Sequence, residues 1–310
     1  MTGVDVALGT ENGLRVVRVT PTGVETRDEA LAGEAVRSLA VHPETDAVFV
    51  GCGLRGWGLH RWRDGETTRL GFDDRWVWGV SLDPRDSETV YVGTEPPALY
   101  RSRDGGASFT ELSGLTDVPS RDDWTFYHEP FGDGHVHAIT LHPDRPDRLV
   151  AGVEDGPVLV STDGGETWRE ALTGHDVHRI AVDPRDPDRW LVGAEDGLFV
   201  TDDAGDSWTT RLSGRYVHGV RFVTPDRVWA YAADASPVLR SDDGGRSWTA
   251  VGADLPPARA ADPLVPVDRE TAIYAGGETV SRIRLTTDGG DSWRTLATDL
   301  PKVWRARLIE

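Results

Sequence analysis

The sequence predicts an all-β protein: a single seven-bladed β-propeller of four-stranded antiparallel blades, spanning residues 1–310 as one domain. Its ring is expected to close by a C-terminal strand that completes the N-terminal blade. Three observations carry this expectation. The formula Ser/Thr-x-Asp-x-Gly-x-Ser/Thr-aromatic recurs five times. A short apolar run opening with valine recurs ahead of it. The run that is missing from the first unit turns up after the last one. A fixed period of about 40 residues with turn chemistry inside each unit is the signature of a blade array.

The five copies are Ser102–Phe109, Ser161–Trp168, Thr201–Trp208, Ser241–Trp248 and Thr286–Trp293, with central aspartates Asp104, Asp163, Asp203, Asp243 and Asp288. These aspartates are 59, 40, 40 and 45 residues apart. Asp-x-Gly makes a tight turn, because glycine takes a positive φ and aspartate bonds backbone amides two residues on. Alternating apolar runs flank each copy, which makes it a hairpin corner. The closing Trp or Phe is a large apolar plug suited to the space between neighbouring sheets. Two worn corners precede the five, at Asp64-Gly65 and near Thr22-Gly23, giving seven.

The formula resembles the Asp-box, or BNR repeat, of sialidases, sortilin-type receptors, some endoglucanases and photosystem assembly factors. The resemblance covers nearly the whole chain. It implies that the five aspartates are structural corners remote from any active face. It implies no catalytic set: the sialidase Arg-Ile-Pro segment is missing, and no arginine set maps onto the sialidase triad. The Asp-box endoglucanases place their cleft between two propellers, and this chain has one. The overall likeness is nearer to prokaryotic BNR proteins of the sialidase-like or photosystem-assembly-like kind.

The innermost strand of each blade is expected in Val36–Val41, Val77–Leu82, Val136–Leu141, Val177–Val182 and Val217–Phe222, each buried between blades. Leu264–Val267 is the irregular version, and Val303–Leu308 is the run that closes the first blade and removes its exposed edge.

Composition bounds the function. Net charge is -19, with 52 Asp+Glu against 33 Lys+Arg, and Lys302 is the sole lysine. Such a surface looks like that of a halophilic protein, kept hydrated by carboxylates. A nucleic-acid surface is disfavoured, since phosphate binding needs a basic field. Cys52 is the only cysteine, which excludes an intramolecular disulfide. With no signal-like start and no apolar run of about 18 residues, a cytoplasmic protein without membrane insertion is expected.

The 59-residue gap holds an insertion at about 113–135, on the face where innermost strands begin. It carries Trp124, Tyr127, His128 and His135, and reads either as a ligand or partner loop or as a plug over the channel mouth. The second position of the innermost strand reads Arg37, Trp78, His137, His178, His218 and Trp304. Three consecutive histidines at one height suit a divalent transition metal as cofactor, or are a duplicated repeat residue bonding locally. Turns after the second strand add Glu11, Glu95, Glu154, Glu195, Asp234 and Glu278; among them Glu154 and Glu195 are the catalytic candidates, with solvated turns as the plainer reading.

Two functions from different classes follow. One is a non-catalytic propeller binding a small molecule or a protein partner through Arg37, Trp76, Trp78, Trp124, Tyr127, His128, His135, Tyr216 and Trp304. The other is a hydrolase of glycoside-hydrolase-like type at the same mouth, metal-assisted through His137, His178 and His218 or carboxylate-based.

Overall fold

A computed structural model describes residues 3–126, 129–234, 236–258 and 262–309. Every blade is a four-stranded antiparallel sheet, and there are seven. Blade one joins β1 (Val4–Thr10), β2 (Gly13–Thr20) and β3 (Gly23–Ala30) to the last strand of the chain, β28 (Val303–Ile309), in the order β28-β1-β2-β3. Blade two is β4 (Val36–Val41) to β7 (Glu66–Gly71), and blade three is β8 (Trp76–Asp83) to β11 (Thr110–Glu111). Blade four runs from β12 (Val136–His142) to β15 (Arg169–Leu172), blade five from β16 (Val177–Asp183) to β19 (Thr209–Arg211). Blade six is β20 (Val217–Phe222) to β23 (Thr249–Ala250), and blade seven β24 (Leu264–Pro266) to β27 (Arg294–Leu300). The expected ring closure by the C-terminal strand is what the structure shows. Among the described residues the helical segments are two 3-10 turns, Ser113–Asp117 and Arg121–Asp123, and no helix is long and apolar enough to cross a membrane.

The Asp-box corners hold themselves together through one hydrogen-bond scheme. In the Asp163 copy the Ser161 hydroxyl donates to Asp163 Oδ1 at 2.7 Å and accepts the Gly165 amide at 2.8 Å. Asp163 Oδ1 also accepts the Thr167 amide at 2.9 Å, and Oδ2 its hydroxyl. The same bonds recur at Asp104, Asp203, Asp243 and Asp288. Hydroxyl and amide donors hold the exposed carboxyls of Asp104, Asp163, Asp203 and Asp288 down at about 2. The aromatic that ends each copy enters the seam with the preceding blade. Trp208 packs on Trp190 and donates to the Ala171 carbonyl of blade four at 3.2 Å; Trp293 packs on Trp229 and donates to the Val251 carbonyl at 2.6 Å.

The core lies in these seams rather than in a centre. Val150, Val158 and Val160 of blade four pack with Val177, Trp190 and Phe199 of blade five, and Trp229 and Tyr231 of blade six with Tyr274 of blade seven. A single contact sets the spacing at the inner end. The first valine of each innermost strand rests on the glycine near the end of the preceding blade's second strand: Val36 on Gly9, Val77 on Gly51, Val136 on Gly93, Val177 on Gly152 and Val217 on Gly193. A Cβ on Gly51 or Gly193 would stand 2.7 Å from the valine's carbonyl oxygen, and one on Gly93 would overlap the Val136 carbonyl. Gly51, Gly93 and Gly193 are required by close approach between backbones, and Gly9 and Gly152 by the valine side chain seated on them.

Gly93→Ala forces blades three and four apart and is expected to cost about 1–3 kcal/mol or more in urea unfolding, whereas Gly23→Ala, with nothing within 4 Å of the new methyl, is expected to cost far less. Ser161→Ala strips the buried Gly165 amide of its acceptor and is expected to cost about 1–3 kcal/mol. The corner carboxyls also set an acid limit. Their folded pKa lies below the unfolded value of about 3.9, so their contribution is present above that pH and is lost as pH falls towards about 2. Unfolding midpoints measured across this window should fall in that direction.

Candidate functional site at the channel mouth

Six blades begin their innermost strand with one tripeptide pattern, a valine between two residues that face the mouth of the central channel. The copies are Ala35-Val-Arg37, Trp76-Val-Trp78, His135-Val-His137, Asp176-Val-His178, Tyr216-Val-His218 and Lys302-Val-Trp304. The valine is fully buried against the neighbouring blade. Immediately after it the ladder skips: the register shifts between Val36 and Ser38, Val77 and Gly79, Val136 and Ala138, Val177 and Arg179, and Val217 and Gly219. The strand facing β28 does the same, with Gly9 opposite Arg305 and Thr10 opposite Val303. Arg37, Trp78, His137, His178, His218 and Trp304 therefore all occupy β-bulges, which re-aim a side chain out of the pleat.

One carboxylate oxygen is the hub of this ring. Glu154 Oε2 lies 2.8 Å from His137 Nδ1, 3.5 Å from His135 Nε2 and 3.9 Å from His178 Nδ1. The Glu154 amide donates to the His135 carbonyl, which fixes the hub beside its histidines. Burial opposes the charge of Glu154, but His137, His135 and His178 together hold its carboxyl well below the usual range. The far nitrogen of His137, Nε2, bonds the Val177 carbonyl of the next blade. That bond leaves Nδ1 aimed at the hub. His178 Nε2 lies 3.6 Å from Asp176, whose carboxyl burial and the charge of Glu154 push up to about 6. His178 stacks against His218 at 4.4 Å and Tyr216 at 4.7 Å, and Tyr216 stands exposed at the rim.

The aromatic half of the mouth adjoins this hub. His135 is fully buried, stacked on Trp78 at 3.8 Å and met edge-on by Phe126. Burial lowers the imidazole to about 4, so it is neutral at ordinary pH. Its Nδ1 faces Glu95 at 3.5 Å, and Trp78 donates its indole N–H to the same carboxyl at 2.9 Å. Burial, joined by the charges of Asp133 and Glu154, pushes Glu95 up to about 8 against the pull of that indole. The mouth thus holds a neutral carboxylic acid and an ionised one on either side of a neutral imidazole. Arg37 lies between the faces of Trp78 and Trp304, at 4.6 and 4.3 Å, and Lys302 covers Trp304 at 3.9 Å. Trp76 packs with Trp57 and with Phe131 of the insertion.

Not every sequence expectation survives this placement. Trp124 is 2% exposed, packed with Leu115 and Val118 beneath the insertion and bonded to the Ser120 hydroxyl. It supports the loop from below, because its indole N–H finds a local acceptor and its ring an apolar seat. Glu195 is exposed at the rim and does not pair with Glu154; the carboxyls that approach the Glu154 histidines are Glu95 and Asp176. Tyr127 and His128 lie outside the described residues. His137 and His178 share Glu154, while His218 stands behind His178. Two donor sets have all their ligand atoms within 4.8 Å of one another here: His135, His137 and Glu154, and Glu154, Asp176 and His178. A third set, Glu34, Cys52 and His60, lies apart in blade two, its thiol pushed up by burial. Asp176 and Lys302 were not singled out from sequence, although the residue before the valine in every copy was a legible place to look.

Comparison with known proteins follows the corners and the ring. The BNR/Asp-box repeat family matches at residues 159–170. An oligoxyloglucan-reducing end-specific xyloglucanase of Emericella nidulans is 27% identical over 96 residues, which cover 29% of this chain and 11% of that enzyme. The GH74 enzyme of Niastella koreensis superposes with a TM-score of 0.66 at 16% identity, over 95% of this chain and 47% of its own. The GH74 xyloglucanase of Xanthomonas campestris gives 0.65 at 17% identity, over 100% and 55%. YCF48 bound to a D1 peptide gives 0.56 at 16% identity, over 85% and 81%. The chain spans about half the length of the two GH74 enzymes and about a tenth of the curated relative. At these identities the structural likeness concerns the fold. The chain is a seven-bladed β-propeller carrying BNR/Asp-box repeats.

Proposed function

We propose that this propeller binds a small ligand at its channel mouth through a divalent transition metal held by His135, His137 and Glu154. One observation carries the reading: imidazole nitrogens from two positions of one blade converge on a single carboxylate oxygen while both nitrogens of the buried His135 have no hydrogen-bond partner. Buried polar atoms in a folded protein are almost always satisfied, so the orphaned Nε2, turned towards Glu154, marks a place where a ligand supplies the missing bond. The spacing suits a metal. Donors about 2.0–2.1 Å from a tetrahedral ion stand about 3.3–3.5 Å apart; His135 Nε2 and Glu154 Oε2 already stand 3.5 Å apart, while His137 Nδ1, paired with the same oxygen at 2.8 Å, opens by about 0.5 Å to admit the ion. The Val177 carbonyl on His137 and the Glu95 carboxyl facing His135 supply the outer partners that orient such ligands. Tyr216 at the rim and the stacked Arg37 offer an aromatic and cationic border for the ligand's body.

A hydrolytic role at the same mouth is the second reading. It is favoured by the split protonation of Glu95 and Glu154, a neutral acid near an anion, which is the pattern that separates proton donor from nucleophile or base in carboxyl-driven hydrolysis. The xyloglucanases among the similar proteins make β-linked glucans the first substrates to try.

Metal content by mass spectrometry on untagged protein tests the first reading. Near-stoichiometric zinc, manganese, nickel or copper is expected in the unmodified chain, lost in His135→Ala and His137→Ala and retained in Glu195→Ala. Metal missing from the unmodified chain after reconstitution would overturn it. The second reading predicts release of reducing ends from xyloglucan oligosaccharides or aryl glycosides, abolished by Glu154→Gln; inertness towards both overturns it.

A further inference from the structure

Below the mouth, the channel changes character. A cavity of about 630 Å³ runs from Leu39 and Val80 at mid-channel to Pro184 and Val223 at the Asp-box face. Apolar side chains, including Leu82, Ile139, Ile180 and Phe222, share its walls with Ser81 and Thr140, and its charged lining is Arg179, Arg221 and Arg307. Among the described residues no carboxylate lines it. That is unusual in a chain with 52 acidic residues against 33 basic ones.

The three guanidinium groups meet behind the wall on one carboxylate. Asp262 Oδ2 accepts from Arg221, lies 3.1 Å from Arg307 and 3.4 Å from Arg179. Asp262 is pinned there by backbone bonds with β28: its amide donates to the Trp304 carbonyl, and its carbonyl accepts from Ala306. Arg305 adds a fourth buried cation whose charge acts on this group. Burial opposes ionisation of Asp262, but Arg221, Arg307 and Arg179 hold its carboxyl well below the usual range. Burial also lowers the Arg179 guanidinium to about 10, with Arg221 and Arg305 adding repulsion that Asp262 counters. Arg305 is answered by Glu154 as well as by Asp262, but the three guanidinium groups in contact with Asp262 share that one carboxylate, leaving an excess of half-buried positive charge for an anion to answer. Arg179 and Arg221 each keep 24% of their side-chain surface accessible, so their remaining donors face the cavity.

We infer that this cavity is an anion site for a phosphate-bearing small molecule, separate from the mouth. The phosphate takes the guanidinium groups of Arg179, Arg221 and Arg307, whose planar forks match its oxygens. The apolar side chains among its walls take a small organic body. A charge excess of this size favours a dianion over a monocarboxylate.

Thermal unfolding of the full chain at constant ionic strength tests this. Inorganic phosphate and phenyl phosphate are the probes, with benzoate as the singly charged control. A ligand at about 100 times its Kd raises the unfolding temperature measurably. Both phosphates are expected to do so, phenyl phosphate at lower concentration, and benzoate much less. Arg221→Gln is expected to weaken the phosphate response at least about tenfold, the scale of one lost charge-assisted contact, while His137→Ala leaves it unchanged. If Arg221→Gln does not fold, Arg179→Gln, whose link to Asp262 is longer, makes the same comparison. No response to either phosphate in the unmodified chain, an equal response to benzoate, or an undiminished response in the folded arginine variant would overturn the proposal. Because His137→Ala separates the two sites, failure here leaves the metal reading of the mouth standing, and the reverse.

Discussion

The contact on which the rest of this molecule depends is the seating of a valine on a glycine across five of the seven inner seams. Val36, Val77, Val136, Val177 and Val217 each dock on the glycine of the blade before. At Gly51, Gly93 and Gly193 backbone meets backbone, and at Gly9 and Gly152 the valine's own methyl fills the space, so the spacing between these blades is set by sterics close to the axis. Hydrophobic seams further out add most of the buried area, yet they tolerate variety: Trp190 fills one, Tyr231 and Tyr274 another. A seam of that kind can be repacked. The inner one cannot.

The same contact explains why the mouth is rich in chemistry. With the valine locked into the seam, the residue after it falls where the ladder slips by one, and its side chain leaves the pleat for the channel. Position rather than identity is what the fold dictates. Arginine, tryptophan and histidine all occur there, which makes the rim a set of interchangeable stations on a fixed frame. In blades four to six the stations are filled with imidazoles, and the second strand of blade four brings Glu154 up beside them. Blades one to three present Trp78, Arg37 and Trp304 as a stacked column. One side of the mouth is ionic, the other aromatic, and His135 on Trp78 is where they join.

Features that rest on local repeating chemistry were legible in the sequence. The five Asp-box corners, the seven blades and the closing strand all follow from turn residues and a period, because each copy folds by the same few bonds. The height of Arg37, Trp78, His137, His178, His218 and Trp304 was legible for the same reason. What their side chains meet was not. Glu154 became a hub and Glu195, its counterpart one blade on, an exposed rim residue, because blade four alone carries a second histidine before its valine. Trp124 in an insertion reads equally as part of a ligand loop or of a plug, and its packing with Leu115 and Val118 follows from no period. Asp262 sits ahead of the least regular strand, where no period gives it a place, and its arginines come from three separate blades.

Closure by β28 carries a consequence for how the molecule comes into being. That strand holds Trp304 at the mouth and Arg305 and Arg307 in the channel, and it reaches blade one from the far side of the ring. Until it docks beside β1, Arg37 has one aromatic face instead of two, and Asp262 lacks both its backbone anchor and one of its cations. The His135, His137 and Glu154 hub lies within blade four alone, but the stacked arginine of the mouth and the arginine cluster of the channel both wait on the completed circle. Docking of one strand supplies the missing half of each.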